Sequence, residues 1–105
     1  MTENLEALLA KGQDNAMLRF GLGNAYLSAG DMARAAEHLR MALTHDPGYS
    51  AAWKLLGKAL TELQRPAEAA STYRKGIEAA DAKGDKQAAK EMTVFLSRLE
   101  KSTDQ

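Results

Sequence analysis

The chain contains no cysteine, which excludes disulfides and thiolate–metal sites outright. It also lacks an excess of charge, since 14 basic residues stand against 14 acidic ones. Nucleic-acid binders draw most of their affinity from neutralising phosphates, and a chain without net charge has little to do that with. Its longest apolar stretches are a few residues, far short of the ~20 that span a bilayer. The opening residues, Met1-Thr2-Glu3-Asn4-Leu5-Glu6, are acidic and lack the basic start and apolar run of a secretory signal. A cytoplasmic location is the expectation that follows. Only two prolines occur, Pro47 and Pro66, and both fall where a helix can begin.

What is present points to helix. Ala, Leu, Lys, Glu, Gln and Arg dominate, and these residues lose least on entering one. With 105 residues, 45% of them hydrophobic and 27% charged, the chain suits one folded domain rather than a disordered segment.

An internal repeat sets the architecture. Sliding residues 16–49 onto 50–83, an offset of 34, aligns Leu22 with Leu56, Gly23 with Gly57 and Ala25 with Ala59. It also aligns Ala33 with Ala67, Ala35 with Ala69, Ala36 with Ala70 and Arg40 with Arg74. The matches are small or apolar and fall three, four or seven apart, along one face of each of two helices. Punctuation agrees with that spacing. Gly30 suits a helix exit, Asp31 an N-cap, Pro47-Gly48 a break and Pro66 a first turn. Helices are expected over about 15–29, 31–45, 50–63 and 66–82, with turns short enough to force neighbours antiparallel.

Trp53, Leu56, Gly57, Leu60, Ala69, Tyr73 and Gly76 resemble the tetratricopeptide signature. So do Leu22, Gly23, Tyr26, Gly30, Ala35, Leu39, Ala42 and Pro47 in the earlier copy. The departures are Arg19 where the tryptophan would stand, Gln64 at the inter-helix glycine and Asp81 at the terminal proline. The chain therefore looks like a small bacterial tetratricopeptide repeat protein. The resemblance implies an all-α fold, a right-handed α-α superhelix of about six antiparallel helices. Residues 4–11 read as a half-repeat helix carrying Leu5, Leu8 and Leu9, 16–49 as repeat 1 and 50–83 as repeat 2. Residues 85–101 read as a capping helix and 102–105 as a frayed tail. Allowing two extra residues in the preceding turn, Ala89, Met92, Thr93 and Leu96 take the interior places of Trp53, Leu56, Gly57 and Leu60.

Repeat proteins of this kind hold peptide segments in a concave groove formed by the first helix of each pair. Residues not committed to the interior are expected there: Met17, Phe20, Asn24, Lys54, Lys58, Thr61, Lys90 and Val94. Phe20 either offers apolar contact to a partner or seals the seam with the N-terminal half-repeat. Lys54, Lys58 and Lys90 beside Asn24 either make a mildly electropositive groove for an acidic partner or are simply solvated. The family's carboxylate clamp uses two lysines, two asparagines and an arginine, and only Asn24 matches it in place. Phe20, Leu55, Gln87 and Glu91 occupy the other four positions, which argues against a chaperone-tail clamp.

Catalytic and metal constellations are thin. His38 and His45 lie two turns apart on one helix, too distant to share a metal, and His45 suits a helix C-terminus. No nucleophile elbow or phosphate-cradling loop occurs. Scattered methionines read as core filler. The reading is a protein- or peptide-binding adaptor without cofactor, metal, nucleic acid or membrane partner, and not an enzyme. The alternative is a self-association module, a homodimer joined near Val94, Phe95 and Leu99.

Overall fold

Single residues write most of the helix starts. In the structure, a computed structural model that describes residues 2–103, the Asn15 side chain accepts a hydrogen bond from the Leu18 amide at 2.8 Å. Asp31 accepts from Arg34 N at 3.1 Å, and Asp85 Oδ1 from Ala88 N at 3.2 Å. Each side chain satisfies an amide that the helix itself cannot pair. Pro66 opens its helix without a side-chain cap, at a position where no amide proton is missed.

Among the described residues six helices follow: α1 Thr2–Ala10, α2 Ala16–Ser28, α3 Met32–His45, α4 Ser50–Glu62, α5 Pro66–Ala82 and α6 Lys86–Thr103. No strand occurs among the described residues. The last helix continues through Thr103, so residues 102 and 103 are helical rather than a tail, and 104–105 lie outside the described residues. Gly30 leaves α2 at φ 84°, a backbone conformation that costs glycine nothing. Its counterpart Gln64 adopts φ 58° with a side chain, so the turn geometry is kept although the residue is not.

Consecutive helices pack in antiparallel pairs, α2 on α3 and α4 on α5, with α6 laid against α5 and α1 against α2. The first helices also touch, α2 to α4 and α4 to α6. The molecule measures 46 × 29 × 17 Å. The smallest dimension is about two helix layers, as expected for a stack extended in one direction. Glycine sets the closest approaches. A Cβ built on Gly23 would lie 2.6 Å from Cγ of Leu39, and one on Gly57 would enter the ring of Tyr73. Leu22, Leu39, Leu60 and Met92 are fully buried between the layers.

One interior expectation needs correction. Ala89 and Met92 are buried as the two-residue shift requires, but Leu96 is half-buried and Thr93 is exposed. Thr93 stands where Gly23 and Gly57 receive a second helix, and no described helix follows α6 to cover it. The half-repeat α1 has no fully buried residue: Leu5, Leu8 and Leu9 are all half-buried.

Candidate peptide-binding groove

The repeat offsets arrange the outward residues of the first helices in rows. Phe20, Lys54 and Lys90 are equivalent on α2, α4 and α6, as are Asn24, Lys58 and Val94, at offsets of 34 and then 36. Met17 is 77% exposed and Val94 44%, whereas every other large apolar side chain among the described residues is at least half-buried. Asn24, Lys58, Thr61 and Lys90 are exposed too.

Phe20 is half-buried and stacks on Tyr49, with ring centroids 4.8 Å apart and planes at 21°. It thus packs on the residue that precedes α4. Lys54 is also committed, since its Nζ donates to Glu91 Oε1 at 3.1 Å across the α4–α6 contact. Thus the positive surface expected from Lys54, Lys58 and Lys90 reduces to Lys58 and Lys90, which form no ion pair with a described residue. The Thr61 hydroxyl donates to the Gly57 carbonyl at 2.8 Å.

Lys58 and Thr61 come together at the rim of a depression of about 220 Å3 between α4 and α6. Tyr73, Phe95 and Leu99 line it, and Glu62 and Arg98 complete its edge. Tyr73 and Phe95 form an aromatic floor, with centroids 5.7 Å apart and planes at 42°. Lys58 Nζ lies 5.7 Å and Arg98 Cζ 5.9 Å from the centre of the Phe95 ring, within reach of cation–π attraction. Burial pushes the Tyr73 hydroxyl above its ordinary range, so the floor is neutral at physiological pH. Asn24 lines a separate cleft of about 370 Å3 with Asn4, Leu5, Gly21, Ala25 and Ser28. The eight expected residues thus share one row of helices but not one pocket. Arg98 was within reach of the sequence, because Lys90, Val94 and Arg98 recur every four residues along one helix face. Phe95 and Leu99, taken from sequence as self-association residues, are half-buried against the core and leave Val94 as the exposed member of that trio.

A polar cluster at the other end of the chain escaped sequence reasoning. Arg19, at the place of Trp53, donates to Asp14 from Nε at 2.8 Å and from Nη2 at 2.9 Å. Its Nη1 lies 3.0 Å from Nδ1 of His38. An arginine can only donate, so Nδ1 accepts and Nε2 carries the proton. That proton faces Glu6 Oε1 at 3.5 Å, and the same oxygen accepts from the Tyr26 hydroxyl at 3.2 Å. Tyr26 stacks on His38 at 5.4 Å, with planes only 3° apart. Burial, reinforced by Arg19, holds the His38 pKa below its ordinary 6.5, so this histidine is neutral and its Glu6 contact is not an ion pair. Asp14 is held well below the usual carboxylate range, chiefly by Arg19 and then by His45, whose Nε2 is 2.9 Å away. The cluster ties α1 and the α1–α2 turn to α2 and α3. It bonds helices together rather than presenting a catalytic pair, and no three His, Asp or Glu among the described residues group as metal ligands. Residue types alone gave no sign of it, beyond an arginine standing where the repeat calls for tryptophan.

With this geometry in place, likeness to known proteins is informative. The sequence profile described as tetratricopeptide repeat matches residues 26–92. A TPR repeat-containing protein of Pseudomonas aeruginosa is 56% identical over 102 residues, covering 97% of each chain. A solution structure of a Bordetella parapertussis protein shares 47% identity with a TM-score of 0.85, over 97% of this chain and 89% of that one. The crystal structure of the Sgt2 TPR domain of Aspergillus fumigatus shares 29% identity with a TM-score of 0.78, over 95% of this chain and 64% of that one. The stack is a right-handed α-α superhelix, a fold that generally serves protein–protein interaction. By its profile, its relatives and its helix pairs, the chain belongs to the tetratricopeptide repeat family.

Proposed function

We propose that this protein is a non-catalytic adaptor that holds an extended or helical segment of a partner protein against the face formed by α2, α4 and α6, acting in the cytoplasm. The observation that carries the reading is where the uncommitted surface falls. Met17 and Val94, the two large apolar side chains left exposed among the described residues, are on first helices. Lys58, Lys90 and Arg98, which lack ion-pair partners among the described residues, lie on α4 and α6. Apolar side chains left in water beside unpaired cations are what a partner segment can desolvate and neutralise at once. The groove residues are Met17, Phe20, Asn24, Lys54, Lys58, Thr61, Lys90 and Val94, joined by Arg98.

Capture of the partner from the source cell by tagged protein tests this. Lys58→Glu with Lys90→Glu, both exposed, is expected to abolish recovery of the partner while helicity and melting stay unchanged. Undiminished recovery would move the binding surface elsewhere. Exposed Met17 and Val94 also favour a second reading, a homodimer through the same face. Sedimentation across a wide concentration range separates the two, because a persistent monomer eliminates the dimer.

A further inference from the structure

We infer that the depression between α4 and α6 takes one large apolar side chain, aromatic or branched, from a segment whose flanking residues are acidic. This rests on the groove reading above and specifies the partner's chemistry at one point in it. Size comes first. A cavity of about 150 Å3 lined by apolar side chains suffices for a benzene ring, and sites for whole small molecules start at roughly 300 Å3. At about 220 Å3 the depression fits a side chain and is too small for a cofactor.

The lining chooses the side chain. Phe95 and Leu99, both half-buried, supply most of the apolar wall, and Tyr73, 2% exposed and tilted 42° from Phe95, closes the bottom. An aromatic guest gains from such tilted contacts beyond simple burial. The Tyr73 hydroxyl and Thr61 are the polar groups nearest the floor, and Thr61 is already bonded to the Gly57 carbonyl. Both are engaged within the chain, since Tyr73 is hydrogen-bonded with Thr61 and Thr61 with Gly57, so the floor suits an apolar guest better than a polar one.

Charge chooses the flanks. Lys58 and Arg98 stand on opposite walls, on α4 and α6, and neither has an ion-pair partner among the described residues. The charged ends of both rest toward the Phe95 ring while the residues remain exposed, so they border the depression and stay open to a partner's carboxylates. Glu62 on the same rim opposes them, leaving an excess of one positive charge. Lys90, one turn before Val94 on α6, extends that excess along the groove, whereas Lys54 and Glu91 cancel each other. A segment with carboxylates before and after its apolar anchor would meet Lys58 and Arg98 as it crosses from one wall to the other.

The test is an amide-resolved NMR titration of the full chain at low salt with three blocked five-residue peptides. One has phenylalanine between pairs of aspartates, the second has lysines for the aspartates, and the third has alanine for the phenylalanine. The first is expected to shift residues 58–62 and 95–99 saturably. Either replacement is expected to weaken it at least tenfold, and so is Lys58→Glu combined with Arg98→Glu, two exposed positions whose folding is checked by their spectra. Equal response to the acidic and basic peptides, indifference to losing the phenylalanine, or no shift at 58–62 and 95–99 overturns the inference. Shifts confined to residues 17–24 would also overturn it while leaving the groove reading standing. Failure of the groove reading itself would instead appear as partner capture insensitive to Lys58→Glu with Lys90→Glu.

Discussion

Replacing Gly57 by alanine adds one methyl group at the point where α4 and α5 come closest. On an isolated helix that change is favourable by about 1 kcal/mol, because glycine is the poorer helix former. Here the new Cβ would enter the Tyr73 ring, which is 2% exposed and in contact with Phe95, so the ring or the helices must shift. Overpacking costs typically 1–3 kcal/mol, and an overlap this deep with a buried ring belongs at about 2–3 kcal/mol. The net expectation is a loss of roughly 1–2 kcal/mol after about 1 kcal/mol of helix gain. Gly21→Ala is the matched control. It is the same chemical change within a helix, but its Cβ meets only Leu5 Cδ1, at an ordinary 3.6 Å. That variant is expected to gain about 0.5–1 kcal/mol. Urea denaturation reads both as midpoint shifts at constant slope, in opposite directions. Similar shifts for the two variants, or a Gly57→Ala protein as stable as the parent, would refute glycine-limited helix approach.

Three further outcomes follow from the turns and the polar cluster. Gln64→Gly relieves the positive φ of 58° and is expected to stabilise the fold by roughly 0.5–1 kcal/mol in the same assay. Arg19→Ala leaves the 7%-exposed His38 without its donor and Asp14 without its bidentate partner. The expected loss is about 1–3 kcal/mol, with the greatest rise in amide exchange in α1 and the α1–α2 turn. For His38 the sign is set by its depressed pKa: the unfolded chain takes up the proton first, near the ordinary 6.5. Stability is unaffected by this group above pH 7 and falls as pH drops below about 6.5. Denaturation between pH 7 and 5 should therefore show a shallower slope in His38→Thr, which carries the residue of the second repeat. Asp14 does not interfere, because its stabilising contribution is lost only as pH falls below the ordinary carboxylate value of 3.8.

Local chemistry made most of the fold legible. Asp31 and Pro66 are read from their own residue types, and the observed helices begin where those residues require. The close approaches at Gly23 and Gly57 were legible because the two glycines recur at the same place in both repeats, as Gly21 does not. Features that depend on pairing across the stack were harder. Lys54 looked like its neighbour Lys58 in sequence, and only the α4–α6 contact gives it Glu91 while leaving Lys58 beside Phe95. Phe20 stacks on Tyr49, 29 positions away, a partner that only the stacking of successive repeats supplies. The Glu6–His38–Arg19–Asp14 chain joins residues up to 32 positions apart whose types fit any solvated helix surface. Thr93 shows the converse: repeat arithmetic assigns it to the interior, but being interior requires a covering helix.

Whether partners meet the first-helix face is most directly read by a photo-crosslinking residue placed in living cells. One copy carries it at position 58 on α4, and a second carries it at position 71, exposed on α5 beside the cleft around Trp53. A crosslinked adduct from position 58 and none from position 71 is the predicted result. Adducts from position 71 alone would contradict the account.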